Sequence, residues 1–345
     1  MNKKRMQDQL ITYGIVIAAY IIMEILILTG NLSSHMKGLL VPMTYYAVIA
    51  VALNLCVGIL GELSIGHCGF MCIGAFFSAF FSKVTENMLP TPIRFFLAFV
   101  VGIAFAALFG FLIGIPVLRL RGDYLAIVTL AFGEIIKNVI NAIYLGVDAN
   151  GLHMSLKNSM ELGLLPEGEI IVNGAMGITG TPHDSNFTIA VIVLLISLFV
   201  VQNLINSRDG RAIMAVRDNS IAAEATGINV TGYKMMAFTI SAAIAGAAGV
   251  LFSHNITSLT AASQYFGYNA SIMILVYVVL GGIGNIRGSV IAAVILYMLP
   301  ELLRGLNNYR MLIYAIVLIV MMIFNWSPNV IIFRKMILSK FKKRR

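Results

Sequence analysis

LNLCVGILGELSIGHCGFMCIGAF, residues 53–76, decides how the rest of this chain is read. Long apolar runs flank a central GELSIGHCGF, Gly61–Phe70, which packs a carboxylate, a hydroxyl, an imidazole, a thiol and three glycines into ten residues. Such a stretch suits an active site, a surface turn, or a place where a membrane helix is broken. The sequence around it narrows the choice.

Hydrophobic residues make up 59% of the 345 and charged residues 11%. Soluble domains carry roughly a quarter charged residues, so this chain cannot cover a water-facing surface. It reads as all-α, a single polytopic transmembrane domain over 1–345. Crossing the hydrocarbon core takes about 20 apolar residues. Runs of that kind lie near 10–29, 39–60, 65–82, 95–115, 123–143, 187–205, 235–254, 269–284, 288–303 and 311–326. Some are short, so the expectation is eight to ten spans. The first run follows a basic MNKKRMQDQL and lacks a small-residue cleavage site, which favours a membrane helix over a signal peptide. Cys56, Cys68 and Cys72 all lie in apolar or Gly-rich sequence, an odd set that argues against a disulfide framework.

Lys and Arg set orientation. With the N-terminus inside, 17 of the 24 fall in cytoplasmic segments, 6 fall outside, and Lys137 stays within a span. Both termini are therefore expected in the cytoplasm. The ending KFKKRR reads as a topology anchor beside anionic membrane lipid, not as a nucleic-acid patch. Two polar segments remain. The outer one, 144–186, sets Asp148, Glu161, Glu167, Glu169 and Asp184 against one Lys157. The inner one, 206–234, nearly balances its charges among Ile, Met, Val and Ala, which suits contact with a protein better than with lipid.

Enzyme chemistry finds little support. No G-x-x-x-x-G-K-[ST] cradle for nucleotide phosphates occurs. Ser64 lacks the flanking glycine of a nucleophile elbow. His67 and Cys68 are neighbours, about 100° apart on a helix, which is poor geometry for a nucleophile and its base. Cys68 and Cys72 share a helix face, yet with one histidine they do not complete a metal site. No catalytic residue and no metal are expected. Transport is the natural function. Ionisable groups inside spans are costly and need a reason. Glu134 and Lys137 stand three apart in the fifth run and can pair on one face. They read as an internal ion pair or as lining of a pathway. Asn54 reads as packing glue or a pathway donor.

Three stretches then become specific: residues 53–76, LRLRGDYLAIVTLAFGEIIKNVI (118–140) and AVRDNSIAAEATGINVTGYKMMAFTISAAIAGAAGVLF (215–252). They closely resemble membrane permease subunits of ATP-binding-cassette importers for branched-chain amino acids, the longer, LivM-like member of the usual pair. VVLGGIGNIRGSVIAAVIL (278–296) and NGAMGITG (173–180) fit the same pattern, so the resemblance runs in order over roughly 40–330.

The resemblance implies a heterodimer with a second homologous permease, two cytoplasmic ATPases that carry ATP and Mg, and an external substrate-binding protein. No cofactor is implied on this chain, and the setting is the inner membrane of a bacterial or archaeal cell. The 206–234 segment resembles the family's coupling loop. Ala222, Ala223, Glu224, Ala225 and Gly227 match its core, although the fuller E-A-A-x-x-x-G form is absent. Arg217 and Asp218 flank that core, and Arg217 and Glu224 are expected to pair with the rim of an ATPase groove, with Gly227 ending the helix.

A zwitterion with an apolar side chain needs a cavity that is polar but mostly uncharged. Asn54, Ser64, Gly66, His67 and Thr129, together with Glu134, are the expected lining. The opening stretch then reads as a broken or tilted helix pair beside the pathway, with a turn at the cytoplasmic surface, where the span count places Glu62, as the competing picture. Other substrates of closely similar permeases, urea and other amides, stay open. So does an ion-coupled carrier that uses Glu134 without any ATPase.

Overall fold

The computed structural model describes residues 3–326 apart from 121, 149, 150 and 167. Arg121 of the RGDYL run, Glu167 of the outer segment and the KFKKRR ending lie outside the described residues.

Thirteen α-helices build the described chain. They are α1 (Lys3–Leu28), α2 (Ser34–Asn54), α3 (His67–Val84), α4 (Thr91–Val117), α5 (Asp123–Ala142), α6 (Phe187–Asn206), α7 (Arg208–Asp218), α8 (Ser220–Ala225), α9 (Val230–Ser253), α10 (Ser263–Phe266), α11 (Tyr268–Gly281), α12 (Ile286–Leu302) and α13 (Arg310–Trp326). Among the described residues nine helices are long and apolar enough to cross a membrane, counting α10 and α11 as one, and α13 adds a shorter apolar helix. The chain is a multi-pass helical membrane protein, as its composition requires.

Buried and exposed faces follow the membrane setting. α2 is buried along nearly its whole length, and α3, α6, α9, α11 and α12 pack around it. α4 and α1 turn Phe96, Leu108, Phe111, Ile22 and Ile25 outward. Side chains of that kind are stable there only against lipid or another apolar partner. Small residues allow close packing where helices cross. At the crossing of α3 with α9, a Cβ on Gly74 would fall 2.3 Å from the Gly246 carbonyl oxygen.

The outer segment departs from all-helical expectation. Tyr144–Asp148 (β1), Gly151–Ser155 (β2) and Glu169–Asn173 (β3) form a three-stranded antiparallel sheet in the order β2-β1-β3. β1 pairs with β2 from Tyr144↔Ser155 to Asp148↔Gly151, and a bulge between Leu145 and Gly146 offsets its pairing with β3. A second pair, Ile178–Thr179 (β4) with Ser258–Leu259 (β5), ties this segment to the chain after α9. Leu-, Ile- and Val-containing runs of five residues between Gly and Asp are too short for a membrane helix but adequate for strands.

Ion pairs pin the sheet end to the bundle. Lys83 at the end of α3 sits 3.4 Å from Glu169, and Arg94 on α4 bonds Asp184 at 2.9 Å. The 206–234 segment lies at the opposite, basic end. There Arg287 in the first turn of α12 bonds Thr12 of α1, and Met321 of α13 shares a cavity with them. The described chain therefore begins and ends its first and last helices at the basic end.

Candidate functional site

The site is assembled where two membrane helices are broken at the basic end. α2 does not stop at Asn54; it widens into a π-helical stretch, Leu55–Leu60, and ends at Gly61. Gly61 has φ +83°, a left-handed conformation that only glycine adopts without strain. Its N–H and that of Glu62 both close back on the Cys56 carbonyl. A wide final turn leaves carbonyls without intrahelical donors. One of them, Gly58, takes its hydrogen bond from Arg217 of α7 at 3.0 Å. The second break separates α11 from α12, with Gly282 and Gly284 both at positive φ.

Asn54 joins the two breaks. Its side-chain oxygen accepts from the Gly284 N–H at 2.8 Å, and its amide donates to Ser289 Oγ at 2.7 Å. Fully buried, it meets both halves of its hydrogen-bonding need within the chain. Gly58 packs directly on Gly284, and a Cβ on Gly58 would lie 2.3 Å from the Gly284 nitrogen.

His67 fastens the far side of the first break. Ser241 on α9 donates to the Ala52 carbonyl at 2.5 Å, so it accepts from His67 Nε2 at 2.6 Å. That leaves Nδ1 to accept from Ser64 at 3.0 Å. Thr129 on α5 receives the Ile65 N–H at 3.1 Å and donates to Ala126, while Gly66 packs on the Thr129 backbone. Asn54, Ser64, Gly66, His67 and Thr129, expected as pathway lining, are thus packed and paired inside the chain. None of them lines the cavities at the basic end.

Glu134 and Lys137 pair as the spacing requires. The structure gives each a second partner. Lys137, buried, donates to Ser263 of α10 at 3.0 Å, and Glu134 accepts the Tyr268 N–H at the start of α11 at 2.7 Å. A carboxylate there satisfies an orphan N–H and complements the positive end of the helix dipole. α5 keeps Asn138 exposed beside this pair, so a helix of membrane-spanning length presents polar groups outward.

The 206–234 segment is three capped helices. Ser207 caps α7, Asn219 caps α8 by accepting from Ile221 and Ala222, and Asn229 caps α9. Ala223 is buried, while Ala222, Glu224, Ala225 and Gly227 are exposed beside Ile221, which is 73% exposed. Gly227, with φ +85°, closes α8 by donating to the Glu224 carbonyl. Arg217, exposed at this end, also has partners within the chain. Its stem lies against Gly61 and its guanidinium is divided between Gly58 O and Asp218, because the broken helix end needs a donor. Beside it Glu62 and Lys234 form an ion pair, each side chain 13% exposed. A small cavity of about 340 Å³ separates these groups from α8.

Residues 35–324 match the family described as branched-chain amino acid transport system, permease component. The chain is 36% identical over 294 residues to the high-affinity branched-chain amino acid transport system permease protein LivM of Salmonella typhimurium, covering 82% of this chain and 67% of that protein. It is 26% identical over 256 residues to LivH of the same organism, covering 73% and 79%. A nucleoside ABC transporter permease protein, NupC of Lactococcus lactis, is 25% identical over 224 residues, covering 60% and 63%. No solved structure matches. With a match of this length, the chain belongs to the family of branched-chain amino acid transport system permease components.

Proposed function

We propose that this chain is the LivM-type membrane subunit of an ATP-driven importer of leucine, isoleucine and valine, in the inner membrane of a bacterial or archaeal cell. The observation that carries the reading is 36% identity to LivM over 82% of the chain. The basic end is then cytoplasmic, with both termini there. ATP and Mg belong to two separate ATPases. Likeness to LivH as well as LivM supports a heterodimer of two homologous permeases. The acidic sheet end receives the external binding protein, whose basic groups steer docking.

ATP binding moves α8 through its exposed face of Ile221, Ala222, Glu224 and Ala225. α7 moves with it, and Arg217 passes the displacement to the α2 break. Asn54 passes it on to the second break, so both breaks respond to one lever. Ser64, Gly66, His67 and Thr129 hold the first break in shape. The pathway runs along the polar face of α5, where Glu134 and Asn138 meet the partner permease.

The test is purification of the tagged chain from its native membrane in mild detergent, followed by ATP-dependent uptake in vesicles. Stoichiometric ATPases and a second permease are expected, both ATPases being lost from the Glu224→Arg, Gly227→Arg double variant. Uptake of leucine should require ATP. A chain that purifies alone and transports leucine on an ion gradient would overturn the reading in favour of a carrier. ATP-dependent uptake of urea but not leucine would move it to an amide substrate.

A further inference from the structure

α2 is enclosed by other helices, yet space reaches one point along it. From Leu40 to Leu60 every residue is buried except Tyr46. At 1.5 Å per residue, Tyr46 lies roughly 18 Å along the helix from Ser34 at the sheet end, well inside a hydrocarbon core about 30 Å thick. Its ring gathers three more tyrosines. The centroids of Tyr45 and of Tyr297 on α12 each lie 4.9 Å away, and that of Tyr277 on α11 lies at 6.1 Å. Tyr297 is half-buried like Tyr46, whereas Tyr45 and Tyr277 are each 4% exposed.

None of these four hydroxyls has a hydrogen-bond partner among the described residues. Tyr314 on α13, beside Tyr277, makes a fifth, and its hydroxyl alone of the five is sealed within protein. The Tyr45 and Tyr277 hydroxyls, on nearly buried rings, therefore still border open space. A buried tyrosine normally satisfies its hydroxyl, and phenylalanine would fill the same volume without leaving one unpaired. Packing thus explains the rings and not the hydroxyls. The membrane interior offers no bulk water to take the unmet bonds, so the hydroxyls call for a guest. Each can donate one hydrogen bond and accept others. They present a polar, uncharged surface between apolar ring faces, which is what a zwitterion with an apolar side chain requires. The space adjoins the pair on α5. Phe252 meets Tyr45 at 5.5 Å and Tyr265 of α10 at 5.3 Å, and Ser263 of the same α10 holds Lys137. Tyr265, 36% exposed, stands at its outer edge.

We infer that Tyr45, Tyr46, Tyr277 and Tyr297 form a subsite for the α-amino acid in transit, entered from the sheet end past Tyr265. The hydroxyls donate to its carboxylate and accept from its ammonium, and the branched side chain lies on the ring faces. Neutral partners hold both charges without an ion pair that release would have to break. The subsite rests on the amino-acid importer reading. It moves the polar contacts from Asn54, Ser64, His67 and Thr129, whose bonds are taken, to groups whose bonds are not.

Tyr46→Phe and Tyr297→Phe each remove one hydroxyl and keep the ring, and the full chain is tested with the subunits that accompany it. ATP-dependent leucine uptake in vesicles should fall about tenfold in either, the effect of one hydrogen bond of about 1.4 kcal/mol, with no drop in melting temperature. Tyr46→Cys then reports access. A membrane-impermeant cationic methanethiosulfonate added at the sheet side should label it, and leucine delivered by the binding protein should slow the labelling. The native chain, whose Cys56, Cys68 and Cys72 are buried, should stay unlabelled. Full leucine uptake in both Phe variants would overturn the subsite. So would labelling by a lipid-soluble maleimide only, which turns Tyr46 to the bilayer, or labelling that leucine leaves unchanged, which gives the space to water. Leucine uptake driven by an ion gradient without ATP, yet still lost in the Phe variants, would overturn the importer reading and keep the subsite.

Discussion

Asn54 accepts a hydrogen bond from the Gly284 N–H across 230 residues of sequence, so one buried amide closes the gap between two broken membrane helices. Neither break can shift independently without taking a partner from the fully buried Asn54 amide. The energetic scale is about 1–3 kcal/mol for each orphaned group. That is enough to keep the breaks together and little enough to be overcome by a movement of the helices around them.

Gly58→Ala should be severely destabilising. The added methyl would fall 2.0 Å from the Asn54 oxygen and 2.3 Å from the Gly284 nitrogen, and backbone cannot yield cheaply. Overpacking of this kind costs about 1–3 kcal/mol. Gly14→Ala on α1 meets nothing within 4 Å and should be neutral or stabilising by about 0.5–1 kcal/mol. Fluorescence-detected melting of the two variants decides the matter; equal losses would remove the close approach as the cause.

Arg217→Ala should separate assembly from transport. Its guanidinium holds Gly58 rather than the outer face of α8. ATPases should still co-purify, with leucine uptake per ATP hydrolysed reduced about tenfold, a 1.4 kcal/mol effect. Arg217→Lys, which keeps one donor, should recover part of the loss. Loss of the ATPases themselves would make Arg217 a docking residue instead.

Lys137→Met should weaken the chain more than the double variant Lys137→Met, Glu134→Gln. The single change strands a partly buried carboxylate at the start of α11, while the double change removes both charges and keeps an acceptor for Tyr268. Breaking a buried pair costs more than replacing it, and the 25% exposure of the Glu134 side chain reduces the penalty to about 1–2 kcal/mol. A melting-temperature cycle across the single and double variants measures it. Strict additivity would mean that the two charges are uncoupled.

Stability should fall as the pH at the sheet end drops. His254 follows α9, bonds Ser82 at 2.8 Å and faces Arg94, Asp184 and Phe95. Burial is the main cause that holds its pKa below the ordinary value, and Arg94 adds to it; the Val250 carbonyl and Asp184 oppose. Above about pH 6.5, the unfolded pKa, both states are neutral and stability is full. Below it the unfolded state gains a proton that the folded state refuses, and stability declines by at most about 1.4 kcal/mol per pH unit until the folded pKa is reached. The melting temperature should drop between pH 7.5 and 5.5, and His254→Gln should flatten the drop. An unchanged slope in that variant would assign the effect to other groups.

Much of the architecture is legible from local pattern. Apolar runs of span length mark the helices, and Ser207, Asn219, Asn229 and Asn285 announce helix starts with the side chains that cap them. The break at Gly61–Gly66 is visible as a cluster of glycine and polar residues. Its meaning is not, because the partners that define it arrive from α5, α7, α9 and α12. His67 and Thr129 look like polar residues awaiting a substrate until Ser241 and Ile65 are seen to occupy them. Arg217 looks like a surface charge until Gly58 is found beneath it. The sheet between α5 and α6 escapes for another reason: five-residue strands separated by turns carry too few periods to register.

The bond from Asn54 to Gly284 also bears on how the chain is made. Ribosomes add about 5–20 residues per second, so the second break emerges on the order of 10–50 s after the first. For that interval α2 sits in the translocation machinery or the lipid with an amide that has no permanent partner. The pairing of an early helix, α2, is thus completed only when a late one, α12, has been made.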